Sequence, residues 1–436
     1  MDQSPDIAPL QIDVGSPVIS KIIRRLLPFL CLLFIINYLD RTNVAMAKLQ
    51  MLSDTHLTDA GYGLGAGLFF VGYFLFEVPS NLILHRVGAR RWISRIMISW
   101  GILSGLMFLV SGPASFYTVR FFLGIAEAGF FPGIVFYLTN WIPAARRSHL
   151  LAIFLTSVAL SGVVGTPLAG LIMQMEGIGH LHGWQWLFIL EGIPAVVLGV
   201  AILFTDLLPD SPAHAKWISA AERTWIESEL ARDHAETHVN HVADLRSAAR
   251  DGRLWLLSLI YFMLIMGLYG FIFWVPTLVK TLTRASNLRV GVISAIPYVV
   301  AAISMVAIGA IADRTGRRRW CVSVCALTGA AGICALCAST TPATGLLSLC
   351  LAAIGIFGTL APFWALPARY LRRTAAAGGI AIINSTGAMS GFVAPSVIGW
   401  AKSATGHFTT GLLVVAASLL CGAVLIVFVP ATVEGS

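Results

Sequence analysis

The sequence predicts an all-α integral membrane protein of twelve transmembrane helices in two six-helix pseudo-repeats. Three observations predict it. First, 57% of the 436 residues are hydrophobic and only 11% are charged, with a mean hydropathy of +0.82, a balance no soluble globular domain needs. Second, apolar runs of about 20 residues recur along the whole chain, each long enough to cross a bilayer as a helix. The alternating pattern of a transmembrane barrel is absent. Third, two motifs recur at nearly one offset. Asn81-x-x-x-His85-Arg86-x-Gly88-x-Arg90-Arg91 returns as Gly309-x-x-x-Asp313-Arg314-x-Gly316-x-Arg318-Arg319, 228 residues on, and Ser161-Gly162 through Gly170 returns as Ser390-Gly391 through Gly399, 229 residues on. Two echoes at one spacing indicate a six-plus-six duplication of parallel repeats.

In chain order, residues 1–20 are polar and acidic, lack the apolar core of a signal peptide, and read as a disordered tail. The first six-helix bundle is expected over 21–208, with spans near 26–47, 62–84, 93–110, 115–140, 149–173 and 186–208. Residues 209–252 break the apolar pattern and read as a cytoplasmic linker. Within it, Ser219-Ala-Ala-Glu222 has capping-box spacing and should start a short amphipathic helix running through Leu230. The second bundle is expected over 253–430, with spans near 254–279, 290–312, 320–338, 344–368, 376–401 and 409–429, followed by a tail at 431–436.

The net charge of +8 is a topology signal rather than a surface for nucleic acid. Lys21, Arg24, Arg25, Arg86, Arg90, Arg91, Arg95, Arg146, Arg147, Arg314, Arg317, Arg318, Arg319, Arg369, Arg372 and Arg373 fall in one set of connections. The other set is poor in Lys and Arg, except for Lys280, Arg284 and Arg289. The positive-inside rule places both termini in the cytoplasm of a multi-pass protein of the cell (inner or plasma) membrane. The seven cysteines lie in or beside apolar spans and read as small helix residues. Cys334 and Cys337 form a C-x-x-C with no second ligand pair. His234, His238 and His241 share a helix face without a further ligand, so no metal site and no cofactor are expected. With no P-loop, no nucleophile–base pair and no metal spacing, an enzyme is not expected either.

Charge inside the spans is the main functional signal. Asn37–Asn43 reads N-Y-L-D-R-T-N and puts Asp40 and Arg41 late in the first apolar run. The fourth carries Arg120 and Glu127, about two helical turns apart and so on nearly one face. An ionisable group at bilayer depth costs roughly 2.5–3.5 kcal/mol even on the mild insertion scale. These two acids and two bases should therefore face each other or water; the alternative to a functional role is a purely structural interhelical lock between Asp40 and Arg120. Arg41 and Arg120 keep their protons and offer planar forks to a carboxylate, which makes them the candidates for binding a substrate anion. Asp40 and Glu127 can titrate and are the proton-site candidates. The second half has no comparable charge within its spans.

The duplicated loop pattern resembles the signature of the major facilitator superfamily, in its second copy fully and in its first except at Asn81 and His85. N-Y-L-D-R-T-N, F-E-V-P-S-N-L (Phe76–Leu82), R-F-F-L-G-I-A-E-A-G-F-F-P-G (Arg120–Gly133), W-Q-W-L-F-I-L-E-G (Trp184–Gly192) and I-N-S-T-G (Ile383–Gly387) together resemble the anion:cation symporter family. That family includes bacterial permeases for tartrate, hydroxyphenylacetate, phthalate and sugar acids. The resemblance covers nearly the whole chain beyond residue 20. It implies two bundles rocking about a central cavity, and it implicates the same four charged positions.

By likeness of place it adds Trp364 and Asn384 as cavity residues, with Tyr269 and Phe273 behind them. Tyr38 and Tyr73 could hydrogen-bond a substrate. Glu77 precedes Val78-Pro79, a helix kink, and receives no role; Glu191 lies within the sixth span. Arg86, Gly88, Arg90, Arg91, Asp313, Arg314, Gly316, Arg318 and Arg319 are expected to latch the helices at the cytoplasmic face. The expectation is a monomeric, proton-coupled symporter taking up a small organic carboxylate. A drug or metabolite:proton antiporter or an anion exchanger of the same fold is the alternative. Gly165-Thr166-Pro167 separates the Gly and Pro that antiporters of the superfamily keep adjacent, which counts against export. Residue types admit Na+ as well as H+ as coupling ion.

Overall fold

A computed structural model describes residues 15–235, 251–367 and 376–429. The side chains of His85, Arg146 and His234, and all of His238, His241, Arg369, Arg372 and Arg373, lie outside the described set, as do both chain ends. Every described element is helical. In chain order they are α1 (Gly15–Asp54), α2 (Asp59–Val87), α3 (Ala89–Leu106), α4 (Pro113–Glu127), α5 (Phe130–Thr139), α6 (Ala144–Leu155), α7 (Ser157–Ile172) and α8 (Gly183–Phe204). After the linker helix α9 (Ala220–Ala235) come α10 (Gly252–Thr283), α11 (Asn287–Thr315), α12 (Arg318–Cys337), α13 (Pro342–Gly358), α14 (Leu360–Trp364), α15 (Ala376–Thr405) and α16 (Thr409–Leu425).

Ten described spans are long and apolar enough to cross a membrane, with α4–α5, α6–α7 and α13–α14 each acting as one broken span. α1 and α15, at 40 and 30 residues, supply two more. Large apolar side chains such as Phe204, Ile303 and Leu347 face outward at 78%, 65% and 70% exposure, as a lipid-facing surface requires.

Three local expectations change. Residues 15–20, expected in the tail, already belong to α1, with Val18 and Ile19 buried. The fourth span breaks just after Glu127, where Gly129 takes φ +89, a conformation only glycine enters freely. The fifth breaks at Thr156. The linker helix starts as its sequence predicts: the Ser219 N–H donates to Glu222 at 2.8 Å and the Glu222 N–H to Ser219 Oγ at 3.3 Å.

The two halves meet most tightly at the end away from the linker. A Cβ on Gly63 would lie 2.3 Å from the Pro395 carbonyl oxygen, and one on Gly291 would lie 2.2 Å from that of Thr166. Only hydrogen at these positions lets α2 approach α15, and α7 approach α11, backbone to backbone. The Ala60 N–H donates to Ser403 Oγ at 2.9 Å, and Tyr62 Oη donates to the Phe273 carbonyl at 3.1 Å. Lys48, missed as a functional residue in the sequence, seals the same end. It is 3% exposed, pairs with Asp59 at 2.6 Å and places Nζ 3.6 Å from the Trp274 ring centroid of the other half.

At the linker end the loop motifs bind locally. In the first copy, the Arg90 N–H donates to Asp210 at 2.8 Å and its guanidinium donates to the Ile202 and Leu203 carbonyls at 3.0 and 3.1 Å. Gly88, at φ +93, turns the chain there. In the second copy, Arg318 donates to Asp313 at 3.0 Å, Arg319 donates to the Val429 carbonyl, and Gly316 turns at φ +69. Arg86, Arg91 and Arg314 are exposed. These contacts hold neighbouring helices within each half.

Candidate functional site

The site grows from the approach of α2 and α4. A Cβ on Gly124 would fall 1.9 Å from the Phe69 carbonyl oxygen, and one on Gly72 would fall 2.3 Å from that of Phe121. These glycines bring the charged face of α4 against α2 and, through it, against α1. The break after Glu127 is satisfied as an apolar medium demands. Ser80 donates to the Ala128 carbonyl at 2.6 Å and itself accepts from Trp92 Nε1 at 2.9 Å.

The four charges sort differently from the sequence expectation. Arg41 pairs with Glu127, both essentially buried. The guanidinium stands over three rings, with centroids at 5.0 Å for Tyr38, 5.3 Å for Phe69 and 5.4 Å for Tyr73. The structural lock between Asp40 and Arg120 does not form. Asp40 instead accepts from Trp100 Nε1 and Ser104 Oγ, each at 2.8 Å, because its side chain leaves α1 toward α3 rather than α4. Arg120 is fully buried and, among the described residues, forms no ion pair, though the Glu127 charge acts on it from a distance. It lies 4.9 Å from the Phe69 centroid, on a ring shared with Arg41, and donates weakly to the Ala66 carbonyl at 3.4 Å. Its Nε and Nη1 have no hydrogen-bond partner.

A cavity of about 70 Å³ lies between the halves, smaller than an open small-ligand pocket. The first half contributes Phe34, Tyr38, Arg41, Phe70 and Tyr73, and the second contributes Tyr261, Tyr269, Trp364 and Asn384. Five of the eight sequence-proposed site residues thus border it or pair across it: Arg41, Tyr38, Tyr73, Trp364 and Asn384. Glu127 reaches it through Arg41. Asp40 and Arg120 are not among its lining residues. The second half gives rings and an amide, and none of the cavity's lining residues on that side is charged.

Glu77, to which the sequence assigned no role, is 4% exposed and accepts from Asn384 Nδ2 and Ser385 Oγ, both at 3.0 Å. It thereby joins α2 to α15 and fixes the amide at the cavity edge. A buried acid two residues before Pro79 was the available signal; its partner, some three hundred residues away, was not. Among the described residues no group of three or more His, Cys, Asp or Glu side chains gathers as metal ligands.

A family model described as Major Facilitator Superfamily matches residues 30–395. A protein of Agrobacterium vitis named "Putative tartrate transporter" is 45% identical over 413 residues, covering 95% of this chain and 91% of its own. An Acinetobacter baumannii protein named "Quinolone resistance transporter" is 40% identical over 422 residues, covering 97% of each. The solved structure of a D-xylose-proton symporter superposes with a TM-score of 0.73 at 15% identity, over 95% of this chain and 99% of that one, a likeness of fold alone.

Proposed function

The chain belongs to the Major Facilitator Superfamily, and on that premise we propose that it is a proton-coupled symporter for a small organic carboxylate such as tartrate or hydroxyphenylacetate. The observation that carries the proposal is Arg41: a buried cation facing an aromatic cavity, with Glu127 as its one acidic partner. A substrate carboxylate entering the cavity competes with Glu127 for the guanidinium fork. Two carboxylates on one cation would leave a net buried charge, and a proton on Glu127 removes it. Substrate and proton are then bound together because each relieves the cost of the other. The loaded site is neutral and the halves can rock about it. The rings of Tyr38, Tyr73, Tyr261 and Trp364 admit a flat or hydroxylated acid. Asn384 and the phenols offer hydrogen bonds to its far end.

The sealed end, opposite the linker, corresponds in this reading to the outside of the cell membrane, with both termini in the cytoplasm. The tartrate name of one relative agrees with a carboxylate substrate. The quinolone-resistance name of another favours the second reading, proton-driven export of a drug or metabolite. Both are tested in proteoliposomes of the purified protein under an imposed proton gradient. On the symport reading, one labelled carboxylate accumulates with an inward gradient and fails to do so with a protonophore. Glu127→Gln then loses accumulation but keeps exchange. Concentrative uptake by Glu127→Gln sinks the coupling role, and gradient-driven efflux of a fluoroquinolone without carboxylate uptake turns the assignment to export.

A further inference from the structure

A second, smaller cavity of about 10 Å³, room for a single water-sized body, lies apart from the aromatic one, walled by α1, α7 and α8 from the first half and α10 and α11 from the second. Its polar lining is Thr42, Asn43, Thr166, Glu191 and Tyr298. Glu191 is 5% exposed, and neither carboxylate oxygen makes a well-formed hydrogen bond. Asn43, 3% exposed, lies beside it and is the one side chain that reaches its carboxylate. A buried carboxylate that meets a single amide and no cation is under-satisfied, at a cost of about 1–3 kcal/mol for each orphaned oxygen.

The two threonines sharpen the chemistry. Thr42 Oγ1 donates to the Tyr38 carbonyl at 2.7 Å, and Thr166 Oγ1 donates to that of Gly162 at 2.9 Å. With their hydrogens committed to their own helices, both hydroxyls have only lone pairs left for the cavity. No Lys, Arg or His lines it. Asp40, on the same helix as Asn43, adds negative field from the α3 side, and its own oxygens are already occupied by Trp100 and Ser104. The lining therefore offers acceptor oxygens from three helices, among them a carboxyl group with no Lys, Arg or His beside it.

We propose that Glu191, Asn43, Thr42 and Thr166 form a binding site for one Na+ ion between the halves, separate from the Arg41–Glu127 cavity. A hard cation takes oxygen donors, and carboxylate, amide carbonyl and hydroxyl oxygens are all suited to it. One carboxylate balances a monovalent charge and leaves a divalent ion half uncompensated. A proton would satisfy one oxygen pair and leave the hydroxyl lone pairs unused. Ile272, Pro276 and Tyr298 of the second half close the cavity, so a bound ion favours the form in which the α7–α11 seam is shut. The site stands on its own geometry and is independent of the symport reading.

The test is equilibrium binding of ²²Na+ to the purified full-length protein in nanodiscs, with choline as the balancing cation and no carboxylate present. Saturable binding is expected, competed by Li+ and not by choline. Glu191→Gln should weaken it at least about tenfold, or ~1.4 kcal/mol. Asn43→Ala and Thr166→Val should weaken it by smaller factors, and these variants decide the matter if Glu191→Gln fails to fold. Glu127→Gln should bind as the parent does. Absence of saturable binding by the folded parent, as for a cavity holding only water or only a proton, overturns the proposal. So does binding that survives Glu191→Gln but is lost with Glu127→Gln, which would put the ion at the larger cavity.

Discussion

Replacing Lys48 by Met should open the sealed end of the molecule. Lys48 makes two contacts of different consequence. Its pair with Asp59 at 2.6 Å lies within the first half and survives any rocking of one half against the other. Its approach to Trp274, at 3.6 Å from the centroid, and to Phe408 at 5.9 Å, crosses between the halves and is lost on opening. A desolvated cation–π contact is worth about 2 kcal/mol or more, and an exposed one about 0.5–1 kcal/mol. Met keeps apolar contact with the ring and so returns part of that. The closed form should lose about 1–2 kcal/mol relative to the open form, which is roughly a 5- to 30-fold shift in their ratio. A cysteine at Ser403, beside Ala60 in the same seam, reports it. On a background with the seven native cysteines replaced, a membrane-impermeant maleimide should label Ser403→Cys some 5- to 30-fold faster when Lys48→Met is added. An unchanged rate would refute the reasoning, since it would mean that the glycine seams alone hold the end shut.

Other substitutions test the remaining contacts. Arg120→Met removes a buried charge that forms no ion pair among the described residues, so the melting temperature of the detergent-solubilised protein should hold or rise, where breaking a true buried pair costs about 3–5 kcal/mol; a large fall would show that Arg120 is paired in the folded state. Gly124→Val puts side-chain atoms into the Phe69 carbonyl and should cost on the order of 1–3 kcal/mol or more by overpacking, read as loss of monodisperse protein in size-exclusion chromatography. Glu77→Ala frees Asn384 and Ser385 and should raise the apparent KM for substrate several-fold with proteoliposome binding of the fold intact; an unaltered KM would leave Glu77 a helix tie alone. In the loop before α8, His182 sits 2.7 Å from Glu176, and that hydrogen bond, with Asp54 nearby, raises its pKa. Its stabilising charge is therefore fully present below the ordinary value near 6.5 and is lost as pH rises through the higher folded value. Proteolysis of this loop should accelerate across that window in the parent, and His182→Gln should flatten the pH dependence.

How much of this was legible in the sequence depended on whether a signal was local. Asp40, Arg41, Arg120 and Glu127 stood out because a charge in an apolar run is conspicuous whatever it touches. The capping box at Ser219 was legible because its two members lie three residues apart. The pairings were not. α1 puts Asp40 and Arg41 on consecutive positions, about 100° apart on a helix, so one faces α3 and the other α4. Composition says nothing about which is which, and the lock between Asp40 and Arg120 failed on that rotation. The break at Gly129 had a trace in the sequence, a glycine followed by Phe-Phe-Pro-Gly, which a count of apolar residues passes over. Lys48 fell one residue beyond the expected end of the first span and so was read past. Its burial is decided by Trp274, two hundred residues on.

The distribution of charge between the halves constrains how the molecule can move. Arg41, Glu127, Asp40, Arg120, Lys48 and Glu191 all belong to the first half. Against them the second half sets rings, hydroxyls and one amide: Tyr261, Tyr269, Trp274, Trp364, Ser385 and Asn384. No ion pair between the membrane-spanning helices of the two halves is found among the described residues, so rocking one half against the other separates no buried pair of opposite charges. What it breaks is cheaper and lies at two depths. Toward the linker end it is the hydrogen bonds of Glu77 to Asn384 and Ser385, each about 1.5–3 kcal/mol when the acceptor is charged. At the far end it is the Lys48–Trp274 contact and the glycine seams. An arrangement with Arg41 on one half and its acid on the other would have required separating a desolvated salt bridge on every cycle, a barrier of several kcal/mol before any substrate contact formed. With both members of the pair on one half, the proposed symport would let the energy of substrate binding act on the Arg41–Glu127 contact itself, while the interface between the halves is left weak enough to part.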